Sequence, residues 1–258
     1  MESEVFYHIP LWQILLLLIL LCLAVCEVCR KSGQKASAIK NESEHFNEIL
    51  PTSVLGLLAL LLGFTFSMAL SRYDLRQSLV VKEANAIGTA YLRTQILEEP
   101  WGTNIRSALK EYTQHRVAFY PDFRVQKEAY QQRTSTLLNH LWDLSMKATK
   151  GQQNAVTALY LNSINEVIDT DDERTFANIN HVPELVYYVI IIITLLGLGS
   201  LSYIAGFRSQ RKTAFYILSV LFSIVVVLIM DLDRPSRGLI HINEQSLVGL
   251  LHSFSPPQ

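Results

Sequence analysis

An excess of charge of one sign is missing from this chain. Its 22 Lys and Arg stand against 23 Asp and Glu, so no basic field points to nucleic acid and no such partner is expected. Cysteine is scarce: Cys22, Cys26 and Cys29 are the whole complement, and they crowd into one stretch. A disulfide framework is thereby excluded elsewhere, and with no histidine beside them they lack the ligand set of a zinc site. They read as buried or lipid-facing thiols, with acylation of Cys29 at an interface as the alternative. Seven histidines are scattered, with no His-x-x-His or His-Glu-x-x-His pattern. Gly-rich phosphate loops and nucleophile elbows are absent too. No enzyme, cofactor or metal is expected.

What the chain does have is apolar runs. Half of its 258 residues are hydrophobic, and they are concentrated rather than spread through a core. Residues 9–28, 49–70, 185–207 and 214–230 each reach or approach the roughly 20 residues that cross a bilayer. The first is no cleaved signal peptide: Met1-Glu-Ser-Glu is acidic, the run is too long, and no small-x-small site follows. A polar linker then carries the sequon Asn41-Glu-Ser43, which matters only in a eukaryotic secretory setting. The expected division is 1–70 for two spans and their basic loop, 71–183 for an extramembrane domain, 184–230 for two further spans and 231–258 for a tail.

The extramembrane stretch reads as helical. Candidate helices are 72–97, ended by Pro100; 103–120, ended by Pro121; 122–150, with Asp122 as its cap and Gly151 beyond it; and 152–178. Strand-like alternation is missing, and 13 Lys and Arg balance 13 Asp and Glu over 71–183, which excludes a polybasic module.

The segment from Pro51 to Arg93 organises the rest. It leaves the membrane near Leu70 and continues with no Gly-Pro break. Gly63, Ser67, Ser71, Asp74, Ser78, Lys82, Asn85, Thr89 and Arg93 follow at steps of three and four, one stripe of an α-helix. Tyr73, Val80, Ala84, Ile87 and Tyr91 form the opposite, packing edge. Two readings fit the stripe. Gly63, Ser67 and Ser71 could line a pore with Asp74 at its mouth, and Phe64 with Phe66, or Leu60 with Leu62, could form apolar rings. The same small residues also suit close helix packing, which spacing alone favours. Near the end, beside Arg234, the two carboxylates of Asp231 and Asp233 could hold a hard cation. Capping, or pairing with Arg234, Arg237 or Arg76, is the structural reading and the preferred one. Pro235 and Gly238 would then turn the chain back.

Two stretches carry a family resemblance. Residues Leu61 to Ala90, which include Arg72-Tyr-Asp-Leu-Arg76, and Asp231-Leu-Asp-Arg-Pro-Ser-Arg-Gly-Leu-Ile240 resemble the mainly bacterial bestrophin-like membrane family. More distantly the chain is similar to bestrophins, pentameric anion or cation channels whose second span lines a narrow apolar neck. The Trp that follows the Tyr-Asp-Arg segment there is missing here, as is a counterpart of the calcium-binding acidic cluster.

The expectation is therefore an all-α membrane protein with four transmembrane helices and a helical extramembrane domain between spans two and three. It would sit in the plasma (inner) membrane as a multi-pass homo-oligomer, a pentamer by that resemblance. Its second span would line an axis for small inorganic ions; the alternative is a membrane-anchored helical sensory or protein-interaction module. Arg30, Lys31 and Lys35 after the first span favour an N-terminus outside, whereas the resemblance implies a cytosolic helical domain.

Overall fold

The computed structural model describes residues 9–39, 49–118, 127–152, 154–208, 213–234 and 239–254. Among them the regular elements are all helical: α1 (Leu11–Ile39), α2 (Ile49–Arg93), α3 (Trp101–Ala118), α4 (Lys127–Ala148), α5 (Ala155–Ile179), α6 (Glu184–Phe207), α7 (Thr213–Asp233) and α8 (Gln245–Ser253). Four of them, α1, α2, α6 and α7, are long and apolar enough to cross a membrane. The protein is an all-α, multi-pass membrane protein. Asn41, Pro121, Asp122, residues 209–212, and Pro235 to Gly238 lie outside the described residues, as does the acidic start of the chain.

The chain forms two compact units, one of residues 1–72 and 181–240, the other of 73–180 and 241–258. In the first, α1 lies against α6 and α7. Its closest approach is at glycines. A Cβ on Gly206 would stand 2.1 Å from the Arg30 carbonyl oxygen, and one on Gly33 2.1 Å from that of Tyr203. With little hydrophobic drive between helices in lipid, such close backbone contact supplies the packing energy. Cys22 and Cys26 are buried with Leu198 between the helices, and the Cys26 thiol lies 3.5 Å from the Ser219 hydroxyl. The Thr194, Ser219 and Ser223 hydroxyls donate to carbonyls of their own helices, which satisfies them where water is absent.

One boundary differs from expectation. The sequence places the end of the first span near Val28, followed by Cys29 to Lys35 and then a polar linker, yet α1 continues to Ile39. Arg30 and Lys31 pair with Glu27 one turn earlier, and the Gly33 contact carries the packing beyond them.

In the second unit, α3, α4, α5 and α8 pack with the later part of α2 around Val80, Ile87, Ile105, Leu109, Leu141 and Ile164. Asn154 caps α5 by accepting from the Val156 and Thr157 amides, in a reciprocal capping box with Thr157. Gly151 takes the left-handed conformation, φ 85°, in the preceding turn. Tyr91 stacks on Phe254 at 4.1 Å, which docks the end of α8.

The glycine crossing yields a stability prediction. Gly206→Ala should destabilise the protein by about 1–3 kcal/mol, the cost of overpacking a close contact. Gly63→Ala, whose added Cβ meets nothing within 4 Å, should be neutral or slightly stabilising. Thermal unfolding of both variants in detergent checks the contrast.

Candidate functional site

The two sides of α2 have different fates. Leu58, Leu62, Thr65, Ala69, Arg76, Val80, Glu83, Ile87, Ala90 and Thr94 are buried, each three, four or seven residues after the last, and so they form one face. On the opposite side Gly63, Ser67, Ser71, Asp74, Ser78, Lys82, Asn85 and Thr89 are all exposed, with Arg93 half-buried. Leu60 at 55% and Phe64 at 65% exposure join that face. Phe66 is exposed too, but sits about 120° round the helix from Leu60, on the flank. Leu62 belongs to the buried side. Among the described residues, no other part of the chain seals the exposed stripe.

Both sequence hallmarks are anchoring devices in their own units. After the membrane part of α2, the Arg76 guanidinium donates to the Ala177 and Asn180 carbonyls at 3.0 Å each, closing the C-terminal end of α5. The Tyr73 hydroxyl donates to the His241 carbonyl, and Gln77 exchanges two hydrogen bonds with the Asn243 backbone. Asp74, between them, points outward. At the end of α7, Asp233 accepts from the Val182 amide at 2.8 Å and the Tyr187 hydroxyl at 3.4 Å, which fastens the start of α6. Asp231 accepts from the Leu239 and Ile240 amides, and Arg234 donates to the Ile9 carbonyl at 2.9 Å. No group of three or more acidic, His or Cys side chains suited to a metal occurs among the described residues.

A buried charge network holds the second unit together. Glu83 is fully buried. One of its oxygens lies 2.7 Å from Arg116 Nε and accepts from the Tyr112 hydroxyl at 2.8 Å. The other pairs with Arg174. The Arg116 Nε contact is a charge contact without hydrogen-bond alignment. Arg116 also reaches Asp171 at 2.9 Å and donates to the Tyr130 hydroxyl, and its guanidinium lies 5.9 Å and 5.8 Å from the Tyr112 and Tyr130 ring centroids. Arg174 reaches Glu244 at 3.0 Å. Glu83 lies well beyond the apolar part of α2. Burial pushes its carboxyl up, but the Arg116 and Arg174 charges, with hydrogen bonds from Arg174 and Tyr112, outweigh that and hold it below its ordinary value. At Asp171 and Glu244 burial wins over the arginines and raises both.

With this geometry established, the relatives can be placed. A profile of the bestrophin-like domain matches residues 16–247. The chain belongs to the bestrophin-like family. Solved structures agree on the fold of this bestrophin-like chain. A bacterial bestrophin homologue from Klebsiella pneumoniae superposes with a TM-score of 0.64 at 16% identity, over 93% of this chain and 94% of that one. A single-substitution variant of that homologue gives 0.68 at 15% identity, over 93% and 96%. No curated protein matches the chain.

The network was not anticipated, although one signal was available. Glu83 stands three residues after Val80 and four before Ile87, a carboxylate on a packing face, which demands a buried partner. Its partners lie on distant helices that spacing cannot pair. Because its folded pKa is depressed, Glu83 contributes stability that is full above the unfolded value, about 4.3, and lost as pH falls through the folded one. Asp171 and Glu244 act oppositely, since the folded form takes up their protons first and gains stability on mild acidification. We therefore expect stability to hold or rise from pH 7 to about 5 and to fall below about 4. Glu83→Gln, which leaves two arginines short of one charge, should cost about 3–5 kcal/mol at neutral pH and flatten the acid limb. Glu244→Gln should change stability by no more than about 1 kcal/mol. Thermal unfolding in detergent across pH, followed by near-ultraviolet circular dichroism, tests all three statements.

Proposed function

We propose that this protein is an oligomeric ion channel whose conduction axis is lined by α2, with equivalent α2 helices from each copy around that axis. The observation that carries the reading is the outward stripe of α2, which lies opposite the face that the chain buries. A stripe of Gly63, Ser67, Ser71 and Asp74 flanked by Leu60 and Phe64 is costly to turn to water in a monomer and little suited to lipid at its polar end. Around an axis it has a use: Leu60 and Phe64 form apolar constrictions, Gly63, Ser67 and Ser71 give a narrow, weakly polar passage, and Asp74 stands at its mouth. Phe66, on the flank, faces neighbouring copies rather than ions. By the family resemblance the ring is a pentamer and the ions are small and inorganic.

Asp231, Asp233 and Arg234 have a structural part in this reading, since their oxygens and guanidinium already engage α6, the returning chain and the start of α1. The competing function, a helical sensory or interaction module, has in its favour a polar groove between α2 and α5. It leaves the membrane part of the stripe without a task. The proposal does not depend on which side of the membrane carries the helical unit.

Flux from liposomes containing the purified protein tests it, with potassium and chloride gradients applied separately. Wild type should conduct. Ser67→Trp should reduce flux to that of protein-free liposomes while oligomer size on gel filtration stays unchanged, Phe64→Ala should increase it, and Phe66→Ala should leave it nearly as it was. A folded oligomer that passes neither ion, or one that conducts equally well with Trp at position 67, would overturn the assignment of α2.

A further inference from the structure

The outer face of α1 changes chemistry once along its length. Leu17, Leu20, Ala24, Val28, Lys31 and Lys35 follow at steps of three and four, and all are exposed, so they form one stripe of the helix. It lies opposite the face on which Cys22, Cys26 and Gly33 pack against α6 and α7. Up to Val28, which is 64% exposed, the stripe is apolar and suits lipid tails. From Lys31 onward it is cationic.

Depth along the helix gives that change a place. From Leu11 to Val28 the helix rises roughly 26 Å, close to the hydrocarbon thickness of about 30 Å, and the headgroup layer beyond is roughly 5–7 Å deep. Lys31 stands about 4.5 Å past Val28, and Lys35 about 10.5 Å. Because Cα–Cβ bonds tilt toward a helix N-terminus, both lysines lean back toward the bilayer. Their long apolar stems then carry the ammonium groups to the depth of the lipid phosphate.

The carboxylate of α1 is already engaged. Glu27 is the one acidic residue of that helix. It accepts from Arg30 at 2.8 Å and 3.2 Å and from the Tyr216 hydroxyl at 2.9 Å. Lys31 is left 3.7 Å away, with its side chain 65% exposed. Neither the last three turns of α6 nor the first three of α7 carry an acidic residue. Arg208 adds a further exposed cation at this end. A Cβ on Gly33 would stand 2.9 Å from the Phe207 amide nitrogen, so the residue after Phe207 lies beside the same turn of α1.

We propose that Lys31 and Lys35 form a binding face for the phosphate of an anionic phospholipid, in the leaflet at the C-terminal end of the first span. A lipid whose tails cover Leu20, Ala24 and Val28 brings its phosphodiester to the two ammonium groups. Free inorganic phosphate has no tails to hold it there. The face belongs to the membrane unit alone, whatever lines the conduction axis.

Native mass spectrometry tests it on the full chain, purified in neutral detergent with equimolar phosphatidylglycerol and phosphatidylcholine. Wild type should retain phosphatidylglycerol in preference. Lys31→Gln combined with Lys35→Gln should lower the ratio of retained phosphatidylglycerol to phosphatidylcholine by at least roughly fivefold, the factor one basic side chain contributes at an anionic surface. Lys31→Arg combined with Lys35→Arg should keep the ratio. Both double variants change exposed side chains only and should melt as wild type does in the same detergent. Inorganic phosphate, matched in ionic strength with chloride, should not displace the lipid. Equal retention of the two lipids by wild type, an unchanged ratio in the glutamine variant, or displacement by inorganic phosphate would overturn the site.

Discussion

Glu83 between Arg116 and Arg174 is the interaction on which the helical unit depends. A carboxylate with no exposure is tolerable only when positive charge and hydrogen bonds replace the water it lost. Here α3 supplies Arg116 and Tyr112, α5 supplies Arg174, and Glu244 adds the segment that leads into α8. One consequence is rotational. With Glu83, Arg76, Val80 and Ile87 held inward, α2 has no freedom to turn about its own axis, and Ser78, Lys82, Asn85 and Thr89 must face out.

The two sequence hallmarks serve this geometry. Arg76 closes the exposed carbonyls at the end of α5, where the helix has no partners of its own, while Tyr73 and Gln77 hold residues 241 and 243. Asp231, Asp233 and Arg234 do corresponding work where three chain segments meet in the membrane unit. Polar residues at such points satisfy backbone groups that would otherwise be stranded. Around Arg72 to Arg76 in the first hallmark, the Ser71 and Asp74 side chains are exposed.

Much of the fold was legible because its signals are local. Four apolar runs predict four spans, and Pro100, Gly151 and the absence of alternation predict helices between them. The 3.6-residue period separates the two faces of α2, since Val80, Ala84 and Ile87 recur where Gly63, Ser67 and Ser71 do not. Spacing also groups Phe66 with Phe64, and Leu62 with Leu60, only as long as neighbours in sequence are taken for neighbours in space; the helix turns each pair apart. The Glu83 network was legible by half. A charge on an apolar face announces that a partner exists, but choosing Arg116 and Arg174 from 22 cationic residues requires the tertiary fold. The extension of α1 to Ile39 was hidden because its support, Gly33 on Tyr203 and Gly206 on Arg30, is a contact between helices remote in sequence.

The central claim is that the stripe of α2 faces water along an axis and not lipid. Its most direct test is the reactivity of single cysteines in membranes, with Cys22, Cys26 and Cys29 replaced by Ala, towards a charged, water-borne thiol reagent. The account predicts modification of Gly63→Cys, Ser67→Cys and Ser71→Cys and protection of Phe66→Cys and Leu61→Cys, a pattern with the helical period. Protection of all five, with the stripe positions reacting only with a lipid-soluble reagent, would contradict it and place that face against the bilayer.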